Sequence, residues 1–404
     1  LAGARVAVVN WRDLGHSLAG GSERYAWEYA VALRNAGAQV DFVTARERDR
    51  PRESWVDGIR TLRGGGAFTF YLFAAWYLLT RRSKLDAVID PECGIPTFSP
   101  LFLRRRTPVV LVVHHVHLDQ FATYFPRPLA LFGQFLEGWV MPRVYRNVRT
   151  VAVSDSTRSE MLERLHWQGE IGILANGSVD VAQGLDPLAK DNDRIVALGR
   201  LVPHKRVDLV IRAIGRLAAE RPGLRLDIVG RGPEEGRLRA LVAELGLQDR
   251  VTMHGFLPEG DKVNLLRQAG LAVCASDVEG WGQVVIDAAA YGVPTVARDV
   301  PGLRDSIRDG STGWLIPDRG DLAAVLDDLT DQVRRSLTAL ESADERTSTF
   351  DAAQEWAAQF SWQRMHAEGV QLLLDELTRR RHTPPSPRPV TSTATTEERH
   401  AHAS

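Results

Sequence analysis

Short apolar runs alternate with amphipathic stretches along this chain, and the alternation occurs as two successive series. Runs at Arg5–Asn10, Gln39–Thr44, Ala87–Asp90, Val109–Val113, Thr150–Val153 and Ile171–Leu174 are strand-length and largely β-branched. Glu23–Asn35, Phe68–Thr80, Leu129–Arg146 and Thr157–Leu165 between them read as helices, the first stopped by Gly37. The second series has strands at Ile195–Gly199, Arg225–Val229, Val251–His254, Leu271–Ala275 and Pro294–Ala297. Helices fill its gaps, among them Glu234–Leu245, which ends at Gly246. Strands that alternate with helices fold as parallel sheets with helices on both faces. The chain is therefore read as α/β, with two doubly wound domains: 1–180, a polar linker at 181–193, and 194–360. A last helix at 361–381, N-capped by Ser361, precedes a Pro/Ser/Thr-rich tail at 382–404 that is expected to be disordered.

Composition narrows the function. At 404 residues, with 44% hydrophobic and 25% charged residues, the chain suffices for two cores. A net charge of −1 argues against a nucleic-acid binder. Cys93 and Cys274 form no CxxC, which fits a reducing, cytoplasmic setting and gives no zinc or iron–sulfur signature. No signal-peptide pattern precedes the first strand, and a start upstream of Leu1 is expected. The longest apolar run, 67–79, is shorter than the about 20 residues that span a bilayer. It is read as a buried helix. The less favoured reading is peripheral contact with the inner membrane face, helped by Arg81, Arg82 and Arg104–Arg106.

Doubly wound sheets bind ligands at the carboxyl ends of their strands, and the chemistry-bearing residues sit there. The stretch from Cys274 to Pro294 carries Glu279 in a loop with Gly280, Trp281 and Gly282, whose glycines are read as letting the backbone approach a ligand, then Asp287 in an otherwise apolar helical segment. A carboxylate among apolar neighbours needs hydrogen-bond partners. Either Asp287 satisfies a neighbouring group, or the two acids converge on a hydroxyl-rich ligand. Arg200 and Lys205 follow the strand that ends at Gly199, just before a helix. Two cations at such a turn suit a diphosphate, and lysine is scarce here, at positions 84, 190, 205 and 262 alone. The alternative is two solvated surface cations.

Weaker signals lie around these. Gly20 and Gly21 open a helix after the first strand, but without a full G-x-G-x-x-G. Gly230 and Gly232 leave room for a base or ribose, and Phe256 and Leu257 for a nucleobase face. His114, His115 and His117 follow the strand Val109–Val113 and raise the possibility of a metal site, but no partnering carboxylate pattern such as H-E-x-x-H accompanies them. Asp191-Asn-Asp193 has the D-x-D form of a metal-dependent transferase but falls in the expected linker, and is read as solvated.

The set Gly199-Arg-Leu201, Lys205, Gly230-Arg-Gly-Pro233, Glu279-Gly-Trp-Gly282 and Ala290-Tyr-Gly-Val-Pro294 resembles retaining glycosyltransferases of family 4, in order and approximate spacing. Val300-Pro-Gly-Leu303 and Gly310–Pro317 continue the likeness. The resemblance implies the GT-B fold, two Rossmann-like domains facing a cleft, with a C-terminal helix crossing back to the first. It implies that Arg200 and Lys205 bind the diphosphate of a nucleotide-sugar donor, Glu279 the transferred sugar, Asp287 the ribose, and His114 or His115 the sugar from the other side. The family usually has glutamate where Asp287 stands, so the ribose contact must be closer or water-bridged. The implied reaction is front-side transfer of a hexose-type sugar with retention, with neither metal nor resident cofactor. GDP-mannose, UDP-glucose and UDP-N-acetylglucosamine all fit as donors; the acceptor is a glycan, a small molecule or a lipid-linked species. A sugar-nucleotide epimerase or a non-catalytic nucleotide-sugar-binding protein is the alternative.

Overall fold

The computed structural model describes residues 1–382 apart from 18 and 93, so the tail expected at 382–404 lies, past its first residue, outside the described residues. The strands are β1 (Arg5–Val9), β2 (Gln39–Thr44), β3 (Glu53–Val56), β4 (Ile59–Arg63), β5 (Ala87–Glu92), β6 (Val109–Val113), β7 (Arg149–Ala152) and β8 (Ile171–Ile173), then β9 (Asp191–Leu198), β10 (Arg225–Val229), β11 (Val251–Gly255), β12 (Ala269–Cys274), β13 (Thr295–Arg298) and β14 (Gly313–Ile316). The helices are α1 (Gly21–Asn35), α2 (Phe70–Arg81), α3 (Leu118–Tyr124), α4 (Arg127–Phe135), α5 (Met141–Val144) and α6 (Asp155–Arg164), then α7 (Val207–Leu217), α8 (Glu235–Glu244), α9 (Glu259–Gln268), α10 (Gln283–Ala289), α11 (Leu303–Ser306), α12 (Leu322–Ala339), α13 (Ala343–Ala357) and α14 (Trp362–His382).

Among the described residues the strands form two sheets, ordered β3-β4-β2-β1-β5-β6-β7-β8 and β11-β10-β9-β12-β13-β14. All neighbours are parallel except β3 and β4. That pair is a hairpin that the strand reading passes over. Its turn, Asp57-Gly58, has positive φ at both residues (50° and 74°), the pairing that a two-residue hairpin turn favours.

In each sheet the strand order reverses beside the first strand, between β1 and β5 and between β9 and β12. The crevice at such a reversal is where ligands bind. Both faces of the first sheet are buried: Val6, Val8 and Phe42 point into one core cluster, Ala7, Val9 and Val43 into another. The first cluster also takes in Trp281 and Tyr291 from the second half and Leu373 from α14, so apolar packing is continuous between the halves.

Two chain passages join the halves side by side. The Ser178 N–H donates to the Phe360 carbonyl at 2.7 Å, and Gly177 lies against Trp362. From there α14 runs back along α1. The Tyr29 hydroxyl donates to the Gly369 carbonyl at 2.9 Å, His366 pairs with Glu28 at 2.9 Å, and Arg380 donates to the carbonyls of Arg105 and Asn147.

The expected linker requires correction. Residues 187–189 form a helical turn and β9 begins at Asp191, so Asp191-Asn-Asp193 is strand. Its acids are taken up by Arg225 (2.6 Å) and Arg221 (2.9 Å) at the amino end of the sheet. No helix among the described residues is long and apolar enough to cross a membrane.

Candidate active site

The loop after β9 turns at Gly199, passes Arg200, and makes a helical turn over Pro203–Lys205 before α7. The loop after β12 carries Ser276, Asp277 and Glu279. Both strands flank the reversal in the second sheet, so both loops emerge at its crevice. The Asp277 N–H donates to the His204 carbonyl at 2.8 Å and ties the loops together. Lys205 Nζ donates to Glu279 Oε1, which also accepts from the Ser276 hydroxyl at 2.8 Å. Lys205 and Glu279, read from sequence as separate contacts, are thus an ion pair, each side chain 15% exposed. Asp277, the next carboxylate along, is held by Arg298. Burial, with Lys205 beside it, lowers the pKa of His204.

Across the crevice stands the N-terminus of α1. The Gly20 N–H donates to Glu23 Oε2 at 2.7 Å, and Glu23 in turn pairs with Arg12 at 2.8 Å. The Arg200 guanidinium lies beside Gly20, where a Cβ would stand 3.7 Å from its Nε. A Cβ on Gly21 would meet open space. The first turn of α1 and Arg200 therefore stand side by side, and helix N-terminal N–H groups favour an anion.

His114 meets the second half through its backbone. Its carbonyl accepts from the Thr157 hydroxyl at 3.2 Å, and that hydroxyl also lies 3.4 Å from the Gly280 carbonyl. Its ring is buried, edge-on to Tyr25 with centroids 5.0 Å apart. Burial, helped by His117, lowers its pKa to about 3, so the imidazole is neutral. The His115 ring pairs with Gln120 Oε1 at 3.2 Å, and burial likewise lowers its pKa.

Several glycines expected to face a ligand face the chain itself. A Cβ on Gly280 would stand 2.0 Å from the His114 carbonyl oxygen, and one on Gly282 would stand 2.3 Å from the Ser306 hydroxyl. Gly230 and Gly232 would meet the carbonyls of Gly199 and Leu201 at 1.8 and 2.1 Å. They allow backbones to close up; they do not clear room for a base. Gly199, at φ 135°, has only Lys205 Cε at the 4.0 Å limit.

Trp281 is buried edge-on to Phe360, with centroids 4.8 Å apart, so its ring packs where the halves join. Leu257 packs into the core, whereas Phe256 is exposed. Asp287 is half-buried and not enclosed. Its Oδ1 accepts from Ser178 at 2.7 Å and Gln283 at 2.9 Å, which leaves Oδ2 outside these bonds.

Sequence reasoning passed over Ser276, Thr157 and the link from the Ser156 N–H to Asp305 Oδ2 at 2.9 Å between the halves. Ser276 shares a loop with Glu279 and was within reach of a local reading. Nothing local ties Thr157 to Gly280. His117 turns away from His114 altogether, towards Glu92 at 3.1 Å and Glu137 at 3.4 Å. Burial opposes its charge, but these carboxylates outweigh burial and raise its pKa to about 10. Burial raises that of Glu137.

Two family models match in succession: Glycosyltransferase Family 4 over residues 19–183 and Glycosyl transferases group 1 over 186–342. A D-inositol 3-phosphate glycosyltransferase of Mycolicibacterium smegmatis is 33% identical over 223 residues, which are 52% of this chain and 46% of that protein. An alpha-D-kanosaminyltransferase of Streptomyces kanamyceticus is 27% identical over 264 residues, 60% of this chain and 68% of that protein. The match thus spans about half the length of the first of these relatives. Among solved structures, sucrose-phosphate synthase of Thermosynechococcus elongatus superposes with a TM-score of 0.76 at 20% identity, covering 93% of this chain and 100% of that one. With both sheets, the crevice between them and the two family models in agreement, the chain belongs to glycosyltransferase family 4 and has the GT-B fold.

Proposed function

We propose that the protein transfers a hexose-type sugar from a nucleoside-diphosphate donor to an acceptor hydroxyl, with retention and with no metal ion at the diphosphate. The observation that carries this is the convergence of Arg200, Lys205 and Glu279 on the crevice faced by the N-terminus of α1. In this reading Lys205 exchanges Glu279 for the β-phosphate. The carboxylate so released accepts hydrogen bonds from the donor sugar's hydroxyls. Arg200 and the α1 amides share the leaving diphosphate's charge, an electrostatic stabilisation set before the bond breaks. Asp287 Oδ2 takes a ribose hydroxyl. His114, made a weak base by burial, is a poor recipient of the acceptor's proton, and a β-phosphate oxygen on the attacked face is the natural base.

No carboxylate need act as nucleophile in this reading: Glu279 is held by Lys205 and Ser276, and Asp277 by Arg298. A D-x-D metal site is disfavoured by distance. Asp193 sits near the start of β9, roughly 20 Å from Gly199 at about 3.3 Å per residue. The donor is a co-substrate, and this reading requires no resident cofactor.

The acceptor side is the first domain. Its α2 and α4 expose Leu72, Trp76, Leu131 and Phe132, and α2 carries Arg81 at its end, with Arg104–Arg106 further on. Apolar side chains beside arginines suit an anionic membrane surface, and a lipid-linked acceptor follows from that.

Lys205→Ala and Glu279→Ala test the assignment. Each is expected to lower kcat/KM for sugar transfer about 10²–10³-fold or more, the scale of losing one transition-state charge contact, with the thermal midpoint nearly unchanged. Wild-type rates in either variant would remove the assignment. Proton NMR of the product's anomeric centre tests retention separately, and an inverted linkage rules it out.

A further inference from the structure

We propose that Glu92, His117 and Glu137 form a site for one divalent transition-metal ion inside the first domain, apart from the donor crevice. The three residues come from separate elements: Glu92 closes β5, His117 lies in the loop after β6, and Glu137 lies on a π-helical turn over Leu136–Val140. A π turn is uncommon and concentrates at functional positions. Here it puts Glu137 inside while leaving Trp139 exposed.

Both carboxylates are fully buried, and His117 is 8% exposed. One oxygen of each acid is served by the backbone. Glu92 Oε1 accepts from the Gly94 N–H at 2.7 Å, and Glu137 Oε1 from the His117 N–H at 2.6 Å. The remaining atoms, Glu92 Oε2, Glu137 Oε2 and His117 Nδ1, are buried with no directed hydrogen bond among the described residues. Two buried acids beside one imidazole need a proton or a cation between them, and buried charge is tolerated only when it is paired or coordinates a metal.

The spacing suits an ion. Ligand atoms from all three residues lie within 4.8 Å of one another. Nδ1 is 3.1 Å from Glu92 Oε1 and 3.4 Å from Glu137 Oε1, the oxygens that also accept from the backbone. Bonds of about 2.0–2.2 Å in tetrahedral or octahedral geometry put neighbouring ligand atoms roughly 3.0–3.5 Å apart. One imidazole nitrogen with two carboxylate oxygens favours Zn²⁺ or Mn²⁺ over Mg²⁺ and Ca²⁺, whose ligands are oxygen throughout.

The ion would fix the loop that walls the crevice. The His115 ring lies 3.7 Å, centroid to centroid, from that of His117, and the His114 carbonyl lies against Gly280. The three residues are positioning residues, and the site does not depend on the transferase reading.

Metal content of tag-free protein purified without chelator tests the proposal. About one equivalent of Zn²⁺ or Mn²⁺ per chain is expected. Chelator-treated protein is expected to take the same ion back in a calorimetric titration, with a thermal midpoint several degrees higher when the ion is added in excess. Glu92→Gln and Glu137→Gln are each expected to weaken uptake at least about 100-fold, beyond the usual loss for an outer-shell change. Less than a tenth of an equivalent, together with no calorimetric uptake and no midpoint shift of the unmodified protein with Zn²⁺ or Mn²⁺, overturns the site and leaves a proton as what the acids share. Undiminished uptake in both variants overturns it equally. Because none of these readouts uses sugar transfer, their failure is separable from failure of the catalytic assignment.

Discussion

The imidazole of His114 lies among Tyr25 and the β6 core with no hydrogen-bond partner at Nε2 among the described residues, and its pKa falls to about 3. In the unfolded chain the same ring takes a proton near pH 6.5. The unfolded state therefore binds the extra proton between these values. The stability this residue confers is complete above about pH 6.5 and is lost as the pH falls towards 3. From pH 6.5 to pH 5 the loss is roughly 1.5 kcal/mol. Thermal midpoints at pH 7 and pH 5 should differ less in His114→Leu than in the parent, and equal differences would contradict a neutral buried ring. Residue chemistry was the more legible part of the site. Cations and a carboxylate in loops after strands announced Arg200, Lys205 and Glu279. What they touch was not legible. Glycine beside a motif residue reads as room for a ligand, yet Gly280 is there because a carbonyl more than 160 residues earlier in the chain presses on its Cα. Order along the chain says nothing of such an approach. Asp287 shows the same limit in reverse: its apolar neighbours marked it as anomalous, and its partner Ser178 is too distant in sequence to be paired with it by any period.

Strands and helices were legible wherever their period was long enough to declare itself, as in α1, β2, β6 and β10. Short pieces held by tertiary contacts were not. The β3–β4 hairpin rests on a two-residue turn and an edge position, and the helical run expected over 129–146 breaks into α4, a π turn and α5. Lys190 belongs at this scale. Assigned to a solvated linker by its polar neighbours, it is buried, and Nζ donates to the carbonyls of Leu266, Arg267 and Ala269 at 3.0, 3.4 and 3.1 Å. These are carbonyls at the end of α9, which its own helix cannot satisfy. Lys190→Ala should leave them unpaired and cost about 2–3 kcal/mol, at the upper range for lost bonds to a charged group. The urea midpoint would fall accordingly, and an unchanged midpoint would mean water replaces the ammonium without loss.

At the scale of the molecule, the two α/β series were legible because each is a sum of local periods, but the contact between them was not. The halves meet through backbone as much as side chain: Gly280 on the His114 carbonyl, the Ser156 N–H on Asp305, and two chain passages bonded at Ser178 and Phe360. One consequence is that the proposed membrane surface and α1, whose N-terminus borders the donor crevice, belong to different faces of the first sheet. Cores on α2 and α5 lie opposite those on α1. Leu72→Glu with Trp76→Glu should therefore reduce co-sedimentation with anionic vesicles several-fold while leaving donor hydrolysis in solution unaltered. Equal sedimentation of the variant and the parent would withdraw the membrane contact.

The return of α14 to α1 also carries a consequence in time. Tyr29 closes on Gly369, and Leu373 packs into a core whose members from the first sheet and α1 are all made by the end of β8. A ribosome adding roughly 5–20 residues per second takes on the order of 15–65 s to pass from α1 to α14. For that interval the outer side of α1 faces water beside an otherwise finished sheet. The first half is synthesised early but sealed late, and its final stability waits on α14.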